Sequence, residues 1–134
     1  MSENPSIDDI REEKIEELRE STDESGSVTP SEPIHVGSPD DLSGAVDQYD
    51  VVLVDFYADW CGPCKMLEPT IEELAAETEA AIAKVDVDQN QQLAAQYGVQ
   101  GVPMLLLFAD GEPAEKLVGV KSKDDLAGLI EAYN

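Results

Sequence analysis

A strand-like run that ends in two closely spaced cysteines is the feature that most constrains the fold of this chain. Residues 51–57 are almost entirely apolar, which is typical of a strand buried on both faces of a sheet. Beyond the cysteines, apolar residues recur at helical spacing, namely Met66, Leu67, Ile71, Leu74 and Ala75. The pair Cys61 and Cys64 is therefore predicted to lie where a strand gives way to a helix.

The start of a helix is an electrostatically favourable place for a thiolate. The first backbone N–H groups have no intrahelical partner, and they carry the positive end of the helix dipole. A thiolate at Cys61 should be stabilised there, so we expect its pKa to lie below that of a free cysteine. Pro63 suits the first turn, because its missing N–H is not needed. We expect Cys61 to attack a substrate disulfide and Cys64 to resolve the mixed disulfide.

The cysteine pair has three other interpretations. A structural zinc site usually has four ligands, and His35 is the one further good candidate in the sequence. A purely structural disulfide would close a loop too short to stabilise the chain much. Inert buried thiols fit poorly with a Gly-Pro turn beside Trp60. We therefore expect no metal and no bound cofactor, and we interpret His35 as a surface residue of a strand.

The segment Trp60-Cys61-Gly62-Pro63-Cys64-Lys65, after a hydrophobic strand, resembles the active site of thioredoxins. The resemblance covers about residues 34–134 and includes Pro69, Lys84, Pro103, Gly111 and Gly119 in the family's order. It implies a protein-disulfide reductase that acts on disulfide-containing proteins and is regenerated by a thioredoxin reductase. A disulfide isomerase or oxidant on the same fold, and a binding subunit without a redox role, are the alternatives.

Asp55 interrupts the apolar run of the central strand. Burial of a carboxylate is costly unless the group is paired or protonated, so a buried Asp55 should have a raised pKa and could exchange a proton. The resemblance implies that Asp55 assists proton transfer at Cys64, with Lys84 on the neighbouring strand as its partner. The alternative is that Asp55 lies at a solvated strand end.

The resemblance also implies a substrate groove around the thiols. Its expected residues are Trp60, Gly62, Pro63, Val102, Pro103 and Gly119, with Pro103 in the cis form. Val102 could equally be an ordinary core residue. Met104 replaces the small polar residue that many relatives have after this proline, which makes the edge of the groove uncertain. Tyr57 replaces a tryptophan, and little functional change is expected there.

Periodicity and turn signals predict the element order βαβαβαββα. The predicted strands are 33–36, the run at 51, 81–87, 104–108 and 115–120. The predicted helices begin after caps at Ser38 and Ser122, follow the cysteines to about Thr78, and span about 91–97. This order implies an α/β protein with a mixed central sheet and helices on both faces, which the resemblance identifies with the thioredoxin fold.

Residues 1–33 do not resemble the thioredoxin domain and are interpreted as an N-terminal extension. An apolar stripe predicts a transient helix at about 6–20, in which like charges repeat at i,i+4, and residues 21–33 have the composition of a linker. The extension is either a frayed, solvated tail or a helix that docks on this domain or a partner. The thioredoxin domain is predicted at 34–134.

The charge of the chain restricts its partners. With 30 acidic and 8 basic residues, its formal net charge is −22 at pH 7, which excludes binding to nucleic acid through phosphate neutralisation. No apolar run approaches the roughly 20 residues of a membrane span, and the first residues lack the pattern of a signal peptide. We expect a cytoplasmic monomer. Adaptation of the surface to a very salty cytoplasm is favoured over a role of the charge in partner binding.

Overall fold

The helices and strands follow the predicted order in the computed structural model of the chain, which describes residues 29–134. The elements are β1 Ile34–Val36, α1 Pro39–Gln48, β2 Val51–Tyr57, α2 Gly62–Glu77, β3 Ala81–Asp86, α3 Gln91–Gln96, β4 Met104–Ala109, β5 Glu112–Val118 and α4 Lys123–Tyr133. The predicted helix at 6–20 and most of the linker lie outside the described residues.

Strand β2 lies at the centre of a mixed sheet with the order β1-β3-β2-β4-β5. Strand β3 pairs in parallel with both β1 and β2, whereas β4 is antiparallel to β2 and β5. Six of the seven residues of β2 are buried, as expected for a strand covered on both faces. The predicted α/β class and mixed sheet are confirmed.

Helices cover both faces of this sheet. One face packs against α1 and α3 through a cluster that includes Leu42 and Leu93. The other packs against α2 and α4 through a cluster that includes Ile71 and Ile130. Because side chains alternate along a strand, Asp55 lies on the α2 face of β2, together with Val51 and Leu53. No helix within residues 29–134 is long and apolar enough to cross a membrane.

The local signals for helix starts and for the hairpin are reproduced. Ser38 and Ser122 cap α1 and α4 by accepting hydrogen bonds from Asp41 N–H (3.2 Å) and Asp125 N–H (3.1 Å). Strand β5 begins and ends earlier than predicted, at Glu112 and Val118. It is an edge strand with no fully buried residue, so its sequence carried little periodicity from which to place its bounds.

Candidate active site

The cysteine pair lies between the end of β2 and the first turn of α2, as predicted. Cys61 is the N-cap of α2, and its Sγ accepts a hydrogen bond from the backbone N–H of Cys64 at 3.1 Å. The two cysteines are joined as a disulfide, with their Cα atoms 5.3 Å apart. The sulfur of the first cysteine therefore caps the helix by accepting a hydrogen bond from an N–H of its first turn.

The disulfide is shielded by its neighbours, but the turn that carries it is exposed. Cys61 and Cys64 are 4% and 5% exposed and pack against Ala58, Tyr57 and Val102. By contrast, the neighbouring Trp60 is 71% exposed, and Gly62 and Pro63 are also exposed. A partner that reaches the sulfurs must therefore contact this exposed rim first.

The loop before β4 lies against the disulfide. The Val102–Pro103 peptide bond is cis, as the resemblance implied. The carbonyl oxygen of Val102 is 3.7 Å from Sγ of Cys61. Gly119, whose φ of 93° favours glycine, donates its N–H to the carbonyl oxygen of Pro103 at 2.9 Å. The structure thus brings Val102, Pro103 and Gly119 together beside the cysteines.

Met104 does not form the edge of this groove. Its side chain is 1% exposed and belongs to the apolar cluster on the α1 and α3 face of the sheet, where it pairs in register with Phe56. The sequence left the contribution of Met104 to the groove open, and the strand alternation turns this side chain into the core instead.

Asp55 is buried directly beneath the active-site helix. It is 2% exposed, and its Oδ1 atom has no hydrogen-bond partner among residues 29–134. Burial raises the pKa of Asp55 to about 7, while nearby Lys84 lowers it and Glu68 raises it. The alternative of a solvated strand end was therefore wrong.

A small cavity connects Asp55 with the second cysteine. It has a volume of about 150 Å³ and is lined by Asp55, Tyr57, Ala58, Asp59, Cys64, Lys65 and Glu68. A cavity of this size with polar walls has room for water, because about 10–15 Å³ of such space is enough for one molecule. A proton could pass between Cys64 and Asp55 through this space.

The expected partnership between Lys84 and Asp55 needs correction. The two residues face each other in register on β3 and β2. The Nζ atom of Lys84, however, donates to Oε2 of Glu68 at 3.0 Å and lies 4.5 Å from the centre of the Tyr57 ring. Sequence reasoning missed Glu68. The available signal was its position four residues after Cys64, on the same helix face.

A second acidic residue missed from the sequence contacts the exposed indole. Nε1 of Trp60 donates a hydrogen bond to Oδ2 of Asp88 at 2.8 Å. Asp88 follows β3, and its own N–H donates to Oδ1 of Asp86 at 2.9 Å. The orientation of Trp60 is thus tied to the turn after β3. His35, which was considered as a zinc ligand, is exposed on β1.

Comparisons with known proteins agree with this geometry. The family model described as Thioredoxin matches residues 34–132. A thioredoxin of Staphylococcus aureus is 51% identical over 85 residues, which cover 62% of this chain and 82% of that protein. Among solved structures, a single-residue variant of the thioredoxin from Halobacterium salinarum NRC-1 is 56% identical with a TM-score of 0.78, covering 81% of this chain and 96% of that one. A Schistosoma mansoni thioredoxin is 31% identical with a TM-score of 0.71, covering 79% and 99%.

Proposed function

The chain belongs to the thioredoxin family and is a protein-disulfide oxidoreductase, and we propose that Cys61 is its attacking thiolate and Cys64 its resolving thiol. In the reduced chain, Sγ of Cys61 attacks one sulfur of a substrate disulfide, forms a mixed disulfide and releases a substrate thiolate. Sγ of Cys64, once deprotonated, then attacks Sγ of Cys61 and releases the second substrate thiolate. Two electrons pass from the dithiol to the substrate.

The contact between Cys64 N–H and Sγ of Cys61 supports this division of roles. The N–H donates to the sulfur of Cys61 at 3.1 Å, at the first turn of a 16-residue helix. A hydrogen-bond donor and the positive end of the helix dipole both stabilise negative charge on that sulfur. Cys64 lies inside the helix, where its sulfur receives less of this stabilisation.

Asp55 is proposed as the group that accepts the proton of Cys64 before the resolving step. Two observations support this role, its burial, which raises its pKa to about 7, and the cavity that it shares with Cys64. A carboxyl group with a pKa near neutrality can accept a proton from a thiol and return it to solvent later. Lys84 is proposed to favour the ionised form of Asp55 through its positive charge, which lowers the pKa of that carboxyl group.

The substrate groove is proposed to consist of the exposed rim and the loop before β4. Trp60, Gly62 and Pro63 supply the rim, and the backbone of Val102 would pair with an extended substrate peptide. Pro103 and Gly119 support that backbone through the hydrogen bond between them. The proposed substrates of the protein are disulfide-containing proteins, and a thioredoxin reductase would regenerate the dithiol of Cys61 and Cys64.

Trapping of the mixed disulfide tests the assignment of the two cysteines. A Cys64→Ser variant cannot resolve the intermediate, so it should accumulate a covalent complex with a disulfide-containing protein on a non-reducing gel. A Cys61→Ser variant should form little of this complex, and the double variant none. Equal trapping by both single variants would overturn the assignment.

The location and the surface of the protein are also part of the proposal. A protein-disulfide reductase needs a reducing compartment, which favours the cytoplasm. We propose that residues 34–134 form the monomeric thioredoxin domain and that residues 1–33 are an extension to it. The formal net charge of −22, together with the similarity to a thioredoxin from a halophile, supports a surface adapted to high salt.

A further inference from the structure

We propose that Glu68 is a positioning residue, which holds the ammonium group of Lys84 away from Asp55 and thereby keeps Asp55 able to accept and release a proton. The residue contacts neither sulfur in the structure and acts through Lys84. The inference rests on the proposed role of Asp55 in proton transfer at Cys64.

The ammonium group of Lys84 has two carboxylates within its surroundings and is bound to one of them. The Lys84 side chain is 8% exposed, and a buried ammonium needs a compensating charge or hydrogen bond. Its Nζ donates to Oε2 of Glu68 at 3.0 Å. Asp55 faces Lys84 across the paired strands, yet its Oδ1 has no partner among the described residues. The structure therefore assigns the cation to Glu68.

The position of Glu68 on α2 connects the pairing of Lys84 with Glu68 to the resolving cysteine, Cys64. Glu68 lies four residues after Cys64 on the same helix, and both line the cavity that reaches Asp55. Its side chain is half exposed, so its charge is solvated and costs little to maintain. The same helix thus carries both the resolving thiol and the carboxylate that binds the ammonium group of Lys84.

The charges around Asp55 predict the direction in which loss of the Glu68 charge should shift the pKa of Asp55. The ionisable groups that face the cavity or the Asp55 carboxyl group are Tyr57, Asp59, Cys64, Lys65, Glu68 and Lys84. Removal of the Glu68 charge removes a carboxylate that raises the pKa of Asp55. It also frees the Lys84 ammonium to approach Asp55 directly. Both effects favour the ionised carboxylate, so the pKa of Asp55 should fall.

Titration of the Asp55 carboxyl carbon by ¹³C NMR in the oxidised chain measures this effect, because the cysteines do not titrate in that form. The Glu68→Gln variant should lower the apparent pKa of Asp55 by about one unit, which is within the usual effect of a nearby opposite charge. The Glu68→Ala variant, which also removes the hydrogen-bond acceptor, should lower it at least as much. An unchanged titration in both variants would overturn the proposal.

Glu72→Gln is the matched control for the loss of one negative charge. Glu72 is exposed one turn further along α2 and does not line the cavity. This variant should leave the Asp55 titration nearly unchanged. A shift as large as that of Glu68→Gln would mean that the overall negative charge of α2, rather than the position of Lys84, sets the pKa of Asp55.

A double-mutant cycle tests whether Glu68 acts through Lys84. In a Lys84→Gln background, the effect of Glu68→Gln on the Asp55 titration should shrink, because no ammonium is left to move. An undiminished shift in that background would show a direct effect of the Glu68 charge and would overturn the positioning role.

Kinetics separate a failure of this inference from a failure of the proposed function. The rate of release from a preformed mixed disulfide is measured against pH for Asp55→Asn, Glu68→Gln and Glu72→Gln. The inference expects a changed profile in the first two variants and an unchanged one in the third. If Asp55→Asn has no effect, the proton-transfer role of Asp55 is wrong. If Asp55→Asn changes the profile and Glu68→Gln does not, only the role of Glu68 is wrong.

Discussion

The buried carboxyl group of Asp55 should make the stability of the protein depend on pH. Its pKa is about 7 in the folded chain, against about 3.9 in an unfolded one. The folded state therefore binds the proton more tightly. The stabilising contribution is fully present below about pH 4 and is lost as the pH rises through about 7. A difference of about three pKa units corresponds to up to about 4 kcal/mol.

The Asp55→Asn variant removes this proton equilibrium. The difference in free energy of unfolding between the variant and the natural chain should be more favourable to the variant at pH 8 than at pH 4.5. Urea unfolding of both chains in high salt measures this difference. Asp47→Asn, at an exposed position of α1, is the control for the loss of one acidic residue. The same difference between variant and natural chain at both pH values would show that Asp55 ionises normally.

The hydrogen bond between Trp60 and Asp88 should matter for protein substrates only. Nε1 of Trp60 donates to Asp88 at 2.8 Å, which fixes the indole on the exposed rim. Asp88→Ala should raise KM for a disulfide-containing protein by roughly threefold to tenfold, in line with one lost hydrogen bond. Asp88→Asn keeps an acceptor and should lose less. Equal loss with a small-molecule disulfide would indicate a defect at the thiols rather than in substrate binding.

Single residues could be assigned from the sequence where the residue type conflicted with its surroundings. Asp55 was visible because a carboxylate interrupts an apolar strand, and the cysteines because the chain has two of them, three residues apart. Glu68 and Asp88 gave no such contrast, because exposed acidic residues are common in this chain. Their partners, Lys84 and Trp60, are brought to them by tertiary packing that local patterns do not contain.

At the scale of elements, the turn between β4 and β5 depends on backbone conformation. Asp110 and Gly111 have φ values of 53° and 86°, so they form the kind of two-residue turn that suits a hairpin. Gly111→Ala should reduce the free energy of unfolding by about 1 kcal/mol, because a Cβ disfavours this conformation.

Gly44→Ala provides a matched control for the hairpin variant. Gly44 lies in helix α1, and a Cβ added to it would have no neighbouring atom within 4 Å, so alanine meets no obstacle there. This change should raise the free energy of unfolding by about 0.5–1 kcal/mol, because alanine favours a helix. Denaturant unfolding of both variants measures the effects. A loss of stability in both, or in neither, would contradict the conformational argument.

The elements were predicted best where both local signals and burial agreed. Strand β2 carries a continuous apolar run, helix α2 carries a proline in its first turn and a helical stripe, and the predicted positions of both match the structure. The predicted bounds of β5 were wrong because none of its residues, including Val118, is buried, so its sequence has no alternation of apolar and polar residues that marks its ends. Its position is set instead by pairing with β4, which the sequence of β5 alone does not encode.

At the scale of the whole molecule, the domain should fold without its extension. Among residues 29–134, the apolar clusters on both faces of the sheet draw on residues from Ile34 to Ile130. A chain that lacks residues 1–28 should therefore keep its melting temperature in high salt within about 2 °C, which is less than about 0.5 kcal/mol. It should also keep its rate of disulfide reduction. A substantial loss of either would show that the extension belongs to the folded domain.

The net charge of −22 should make the fold depend on salt. Repulsion between surface charges acts over about 10 Å at 0.1 M salt and over about 3 Å at 1 M. A cleft between the end of α2 and helix α4 concentrates this repulsion, since Glu79, Asp124 and Glu131 line it together with Glu77, which is paired with Lys123 at 2.7 Å. The melting temperature should therefore rise by roughly 10 °C between dilute buffer and molar KCl, which corresponds to about 2 kcal/mol.

A double variant of the cleft separates charge repulsion from a general effect of salt on proteins. Glu79→Gln combined with Glu131→Gln should stabilise the chain in dilute buffer, where repulsion is strong, and change little in molar KCl. The melting curve of the variant should consequently depend less on salt than that of the natural chain. An uncharged osmolyte should not reproduce the difference between the two chains, because it does not screen charge. If the melting temperature stays constant or falls as KCl increases, the acidic surface is not an adaptation to salt, and its role must then be sought in the choice of partners.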